Sequence, residues 1–203
     1  MLVLPDSGKY LNQYAMPGSP GCKPGDKAGC AKHIPRGWDD WHGLFGNSRY
    51  YNGTISDNGV PTEHGDAPED YLPDVFFGHA KAFVAAHLAK ETKQGTPFLC
   101  VLATPSCHGP FTAAPKYLGH FEGMEIKAPV TPNYNASNAD KQWIMRKLSP
   151  ITQIMAVDID AQHNKRWDTL MSVDDYIEEI VTMLETAGQM ENTYFLFTSD
   201  QSV

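Results

Sequence analysis

Two short, almost wholly apolar runs, Pro97-Phe-Leu-Cys-Val-Leu-Ala103 and Thr193-Tyr-Phe-Leu-Phe-Thr-Ser199, bracket the strongest helical pattern in the chain. Runs of that length suit strands buried on both faces, the habit of parallel sheets. Between them Trp167, Leu170, Met171, Ile177, Ile180, Val181 and Leu184 share one helical face. This spacing predicts a helix over about 161–187, with Gly188 at its C-terminal cap. Ser172 offers an alternative there, as the N-cap of a second, shorter helix. Upstream, Phe76, Ala80, Phe83, Val84 and Leu88 predict a helix from Asp74 to about Lys93, ended by Gly95-Thr-Pro97. Helix, strand, long helix, strand is the order of an α/β fold with a mainly parallel sheet.

The remaining stretches carry weaker signals. Residues 15–70 are dense in Gly, Pro, Asn and Asp with aromatic anchors such as Trp38, Trp41 and Tyr50, and read as ordered loops rather than strands. Residues 110–160 read as a long excursion from the core, with short helical turns near Lys141-Gln-Trp-Ile. With 203 residues, 41% apolar and 20% charged, the chain is expected to form one domain over 1–203 with a real core. A formal net charge of -8 argues against nucleic acid as a partner, because such binding rests on lysine and arginine neutralising phosphates. Any anionic substrate must be held by local positive charge or a metal. No window is apolar enough for a membrane span, and Met1-Leu-Val-Leu-Pro5 is too short for a signal peptide. Cys22 and Cys30 flank a loop that a disulfide could close, and Asn52-Gly-Thr and Asn135-Ala-Ser are glycosylation sequons suited to a secreted or lysosomal chain.

In open α/β sheets, sites form at the carboxyl ends of strands. His108 follows the 97–103 run by five residues, and Asp200 follows the 193–199 run directly. Spacing alone leaves each with two readings: a residue of a shared rim, or a loop histidine and a turn cap. The Ser199-Asp-Gln-Ser-Val203 ending is expected to reflect a chain cut where such a rim begins.

Several segments occur in a familiar order: Gly8-Lys-Tyr-Leu-Asn-Gln-Tyr14, Pro35-Arg-Gly-Trp-Asp-Asp-Trp41, Asp70-Tyr-Leu-Pro-Asp74, Ala103-Thr-Pro-Ser-Cys-His-Gly-Pro-Phe111, Thr169-Leu-Met-Ser-Val-Asp-Asp175 and Asn192-Thr-Tyr-Phe-Leu-Phe-Thr-Ser-Asp200. Together they resemble the sulfatases, in particular the N-acetylglucosamine-6-sulfatases and extracellular heparan endosulfatases, over essentially the whole chain. The resemblance implies an alkaline-phosphatase-like α/β fold, and hydrolysis of sulfate esters on glycosaminoglycans such as heparan or keratan sulfate. It implies calcium and a formylglycine nucleophile as cofactors, and a lysosomal or secreted location.

By the same resemblance, Lys9 matches the sulfate-contacting lysine, a point charge suited to an anionic oxygen. His108 matches the histidine at the sulfate or leaving oxygen, although its segment here reads Pro-Ser-Cys-His. Asp200 matches a calcium-binding aspartate, since calcium favours oxygen ligands. Gln201 stands where the family has asparagine, one methylene longer, and Asn12 stands at a substrate-contact position. The Cys-x-Pro-x-Arg segment that yields formylglycine belongs before Gly8-Lys9. Cys22-Lys-Pro-Gly-Asp26 imitates its first places but ends in Asp and falls after Lys9, so it is expected to be unrelated. The chain as given is therefore expected to be an incomplete, inactive piece. A sulfated-glycan-binding remnant and a non-functional truncated product are the alternatives.

Overall fold

A computed structural model describes residues 5–89, 97–124, 126–136 and 139–199. The chain forms two compact units, one from the residues before Ser106 together with those from Ser172 onward, the other from Ser106–Met171.

A five-stranded sheet organises the first unit. Its strands are β1 (Pro5–Gly8), β2 (Asp40–Leu44), β3 (Thr54–Asp57), β4 (Val60–Glu63) and β5 (Val101–Ala103). They lie in the order β4-β3-β2-β1-β5. The strands β5, β1 and β2 run parallel, while β3 and β4 add an antiparallel edge. The sheet is thus mixed, with its parallel half centred on β1.

Three of these strands fall in the stretch that the sequence presents as loops. Local turn chemistry explains the last two. At Asn58 φ is 49° and at Gly59 it is 91°, the pair of left-handed conformations that a two-residue hairpin turn requires and that Asn-Gly supplies cheaply. Conversely, the 97–103 run contributes only Val101–Ala103 as strand. The predicted strand over 193–199 is not formed: these residues pair with no strand among the described residues, and Tyr194, Leu196 and Phe197 are largely exposed. An apolar run becomes a strand only where a neighbouring backbone satisfies its N–H and C=O groups.

A long helix covers one face of the sheet. α1 is the short Lys27–Ala31 turn, capped by Asp26, whose Oδ1 accepts from the Gly29 amide at 2.8 Å. α2, Leu72–Ala89, buries Leu72 and Phe76 against Leu44 of β2 and Ile55 of β3. Ser7 Oγ of β1 donates to the Phe76 carbonyl at 2.9 Å, so a buried hydroxyl ties sheet to helix. A second cluster gathers Tyr14, Ala15, Cys30, Ala31, Trp41 and Phe45. Within it Trp41 Nε1 donates to the Tyr14 hydroxyl at 2.9 Å, which in turn donates to the His33 carbonyl at 2.6 Å. Cys22 and Cys30 are bridged, closing the loop beside this cluster, and the Cys22-Lys-Pro-Gly-Asp26 cysteine is thereby committed to a structural role.

The predicted long helix is longer than its pattern: after the short α3 (Trp143–Arg146), α4 runs unbroken over Gln153–Thr186. Ser172 lies inside it and caps nothing. Residues of α4 from Ser172 onward pack on α2. There Tyr176 stacks on Phe77 with ring centroids 4.4 Å apart and its hydroxyl donates to Asp74, while Lys81 pairs with Glu179. In the second unit the excursion is anchored by carboxylates of α4. Asp168, buried, accepts from the amides of Gly119 and Phe121 at 3.1 and 3.0 Å, and Asp160 accepts from Ala128 at 2.9 Å. These bonds satisfy backbone donors that an irregular segment leaves open.

One buried carboxylate on β1 stands out. Asp6 is 2% exposed and its Oδ2 has no hydrogen-bond partner among the described residues. Burial pushes its pKa up from 3.8 to about 7, only partly offset by the charge of His42. A folded-state pKa above the unfolded one means that the folded chain holds the extra proton. Its stabilising contribution is therefore complete below 3.8 and is lost as pH rises through about 7. We expect Asp6→Asn to remove this slope and to make the complete protein more stable than wild type at pH 8, as read by urea unfolding at several pH values. Parallel stability curves for the two proteins would contradict the assignment.

Candidate active site

The parallel strands β1, β2 and β5 point their carboxyl ends the same way, and Lys9 is the first residue beyond β1. Its position depends on a close backbone approach. The Lys9 amide donates to the Ala103 carbonyl at the end of β5, at 2.8 Å. Gly8 permits this: its φ is 130°, and a Cβ there would sit 2.1 Å from the Ala103 oxygen. Glycine is thus required immediately before the lysine. The Lys9 side chain is half-buried, and Asn12 is exposed on the turn that follows. These two predicted residues share one loop at the carboxyl end of a central strand, where α/β proteins place their ligands.

His108 belongs to the second unit. Its Nδ1 lies 2.7 Å from the Gly109 carbonyl oxygen, a contact in which the nitrogen must carry the proton. Asp200 and Gln201 lie outside the described residues. Of the two sequons, Asn52 sits exposed on a turn with φ of 52°, its amide donating to Gly65 at 2.7 Å. Asn135 is also exposed, but its side chain bonds the Ile151 backbone in both directions, at 3.1 and 2.7 Å.

The structure brings together a polar group that the sequence reading did not single out. His42 on β2 stands opposite Asp57 on β3 in the antiparallel register, and its ring stacks on that of His79 from α2 at 3.7 Å between centroids. Its Nδ1 is 2.8 Å from Asp57 Oδ1 and its Nε2 is 3.2 Å from Asp40 Oδ1, while His79 Nε2 is 3.5 Å from the same Asp57 oxygen. Asn58 Nδ2 donates to Asp40 at 2.8 Å. Burial works against charge on His42, but hydrogen bonds and charges of Asp40 and Asp57 outweigh it and raise its pKa to about 9. The His42 hydrogen bond in turn holds Asp40 down at about 2. For Asp57, burial acts upward but the bonds from His42 and Thr62 prevail, so its pKa is lowered; burial and the His42 charge lower that of His79. The Asn58-Gly59 turn joins β3 to β4, but Asn58 also bonds β2 beside His42: its amide donates to the Trp41 carbonyl at 2.7 Å and its Oδ1 accepts from the Trp41 amide at 2.9 Å, which holds residues 42 and 57 side by side.

Calcium prefers cages of oxygen ligands. Among the described residues, the group of His, Cys, Asp and Glu side chains able to converge on one ion is His42, Asp57 and His79, with two imidazoles and a single carboxylate. It does not fit calcium.

The fold and its rim define an α/β protein with a lysine presented at the carboxyl end of a parallel strand. A family model described as Sulfatase matches residues 18–202, and the chain belongs to the sulfatase family. It is 39% identical over 196 residues to human N-acetylglucosamine-6-sulfatase, a match that covers 96% of this chain and 33% of that protein. It is 36% identical over 195 residues to the extracellular sulfatase SULF-1 homolog of Drosophila melanogaster, covering 95% of this chain and 16% of the relative. The chain therefore spans about a third or less of the length of these relatives. Among solved structures, that of BT4656 in complex with its substrate D-glucosamine-2-N,6-O-disulfate matches with a TM-score of 0.54 at 15% identity, over 95% of this chain and 46% of the other. At that identity the likeness speaks for the fold, which is the α/β sulfatase fold that the sequence predicts.

Proposed function

We propose that residues 1–203 are part of the catalytic domain of a sulfatase whose complete form removes the 6-O-sulfate from N-acetylglucosamine in glycosaminoglycans. The observation that carries this reading is the 39% identity to human N-acetylglucosamine-6-sulfatase across 96% of the chain, with Lys9 set at the carboxyl end of a central parallel strand. Hydrolysis of a sulfate ester needs positive charge on the sulfate oxygens as the sulfur–oxygen bond lengthens. In a chain of net charge -8 that charge must be local, and the Lys9 ammonium supplies it. His108 is assigned to the sulfate or the leaving oxygen, where its imidazole, when protonated, can donate to developing negative charge. Asn12, on the Lys9 loop, is assigned to the sugar, and Asp200 with Gln201 to the metal. Formylglycine, formed in a Cys-x-Pro-x-Arg segment, would supply the nucleophile in the complete protein. The relatives with which the chain aligns and its exposed Asn52 suit a lysosomal or secreted glycoprotein.

The test is sulfate release by the complete protein from N-acetylglucosamine 6-sulfate, its 3-sulfate isomer and N-sulfoglucosamine. Release from the 6-sulfate alone is expected. Binding of the 6-sulfate without turnover would favour a glycan-binding remnant, and release from another isomer in its place would sink the regiochemical assignment.

A further inference from the structure

We propose that His42, Asp57 and His79 form a binding site for a divalent transition metal of the zinc class, independent of the sulfatase reaction. The three come from β2, β3 and α2, so the site joins three elements of the first unit. Two imidazoles and a carboxylate are a donor set that zinc and its neighbours favour and calcium does not. Around a tetrahedral zinc with bonds of about 2.0–2.1 Å, ligand atoms stand about 3.3 Å apart. The observed separations from Asp57 Oδ1, 2.8 Å to His42 Nδ1 and 3.5 Å to His79 Nε2, bracket that value.

The surroundings are those of a ligating histidine. Metal-bound imidazoles donate their second N–H to a carboxylate that fixes ring orientation. Here His42 Nε2 lies 3.2 Å from Asp40 Oδ1, and Asp40 is itself held by Asn58. His42 would therefore bind through Nδ1, releasing the proton now shared with Asp57 as the metal takes its place. His42 and His79 rings lie nearly parallel, 16° apart, while lone pairs must converge on the ion. Closure requires the His79 ring to turn about its own side-chain bonds, and that side chain is 31% exposed. A fourth position is left for water.

The experiment is calorimetric titration of zinc into the complete protein and into its His79→Ala form, with cobalt absorption as a second readout. His79 is partly buried against His42 but belongs to neither hydrophobic core cluster, so alanine leaves both clusters in place. Wild type is expected to bind one equivalent of zinc that His79→Ala binds about 100-fold more weakly or loses, and to give a tetrahedral cobalt spectrum that the variant lacks. Asp57→Asn, which keeps shape but weakens the ligand, should show the same loss. Equal zinc stoichiometry and affinity in wild type and His79→Ala, or identical cobalt spectra, would overturn the proposal. Failure of sulfate release would leave it standing, because none of these readouts depends on turnover.

Discussion

Lys9→Ala in the complete protein is expected to lower kcat on N-acetylglucosamine 6-sulfate by about 10²–10³-fold, the usual cost of removing one preorganised charge from a developing anion. The thermal midpoint should hardly move. The reason is that the lysine's structural contact is made by its backbone: the amide bonds Ala103 at 2.8 Å, and that bond survives truncation of the side chain. An effect on kcat rather than on KM alone would show that the ammonium acts mainly on the transition state. Loss of turnover in step with loss of folding would instead make Lys9 a structural residue.

Gly8→Ala should damage the same site by a different route. At this position a Cβ would lie 2.1 Å from the Ala103 oxygen and 2.5 Å from its carbonyl carbon. Both are backbone atoms, so no side chain can move aside, and β1 must separate from β5 at the point where the sheet's parallel half is centred. Left-handed strain adds roughly 1–3 kcal/mol and overpacking adds about as much again. Gly37 provides the control. Its φ is 103° but nothing lies within 4 Å of its would-be Cβ, so Gly37→Ala carries the conformational cost alone. The expected result, by thermal unfolding, is a markedly larger fall in midpoint for Gly8→Ala than for Gly37→Ala. Equal falls would mean that the approach of β1 to β5 is not what demands glycine before Lys9.

Both helices were legible because their apolar residues recur at helical spacing, although burial follows only in part: Phe76, Ala80 and Val84 of α2 and Leu184 of α4 are buried, while Trp167 and Ile177 of α4 are exposed. The sheet was less so. The central strand β1 ends in Asp6-Ser7-Gly8, and its polar residues are buried because Ser7 bonds α2 and Asp6 accepts a shifted pKa; no propensity scale favours such a strand. β2, β3 and β4 are short and mix polar with apolar residues, held by register and by the Asn58-Gly59 turn rather than by an apolar run. The 193–199 run shows the converse, an apolar sequence with no strand beside it among the described residues. Lys9 was found through the motif around it, since nothing in its own spacing distinguishes it from a surface lysine. The cluster of His42, Asp57 and His79 is assembled from three separate elements, β2, β3 and α2, and neither hydrophobic period nor ligand spacing announces it.

The central claim is that the complete protein is a sulfatase acting at the 6-position of glucosamine. Its most direct test is proton NMR of a heparan oligosaccharide carrying 6-O-, 2-O- and N-sulfates, followed during incubation with that protein. The expected result is an upfield shift of the C6 methylene signals while the signals next to the other sulfates stay fixed. Unchanged C6 signals, or loss of a 2-O- or N-sulfate in their place, would contradict it.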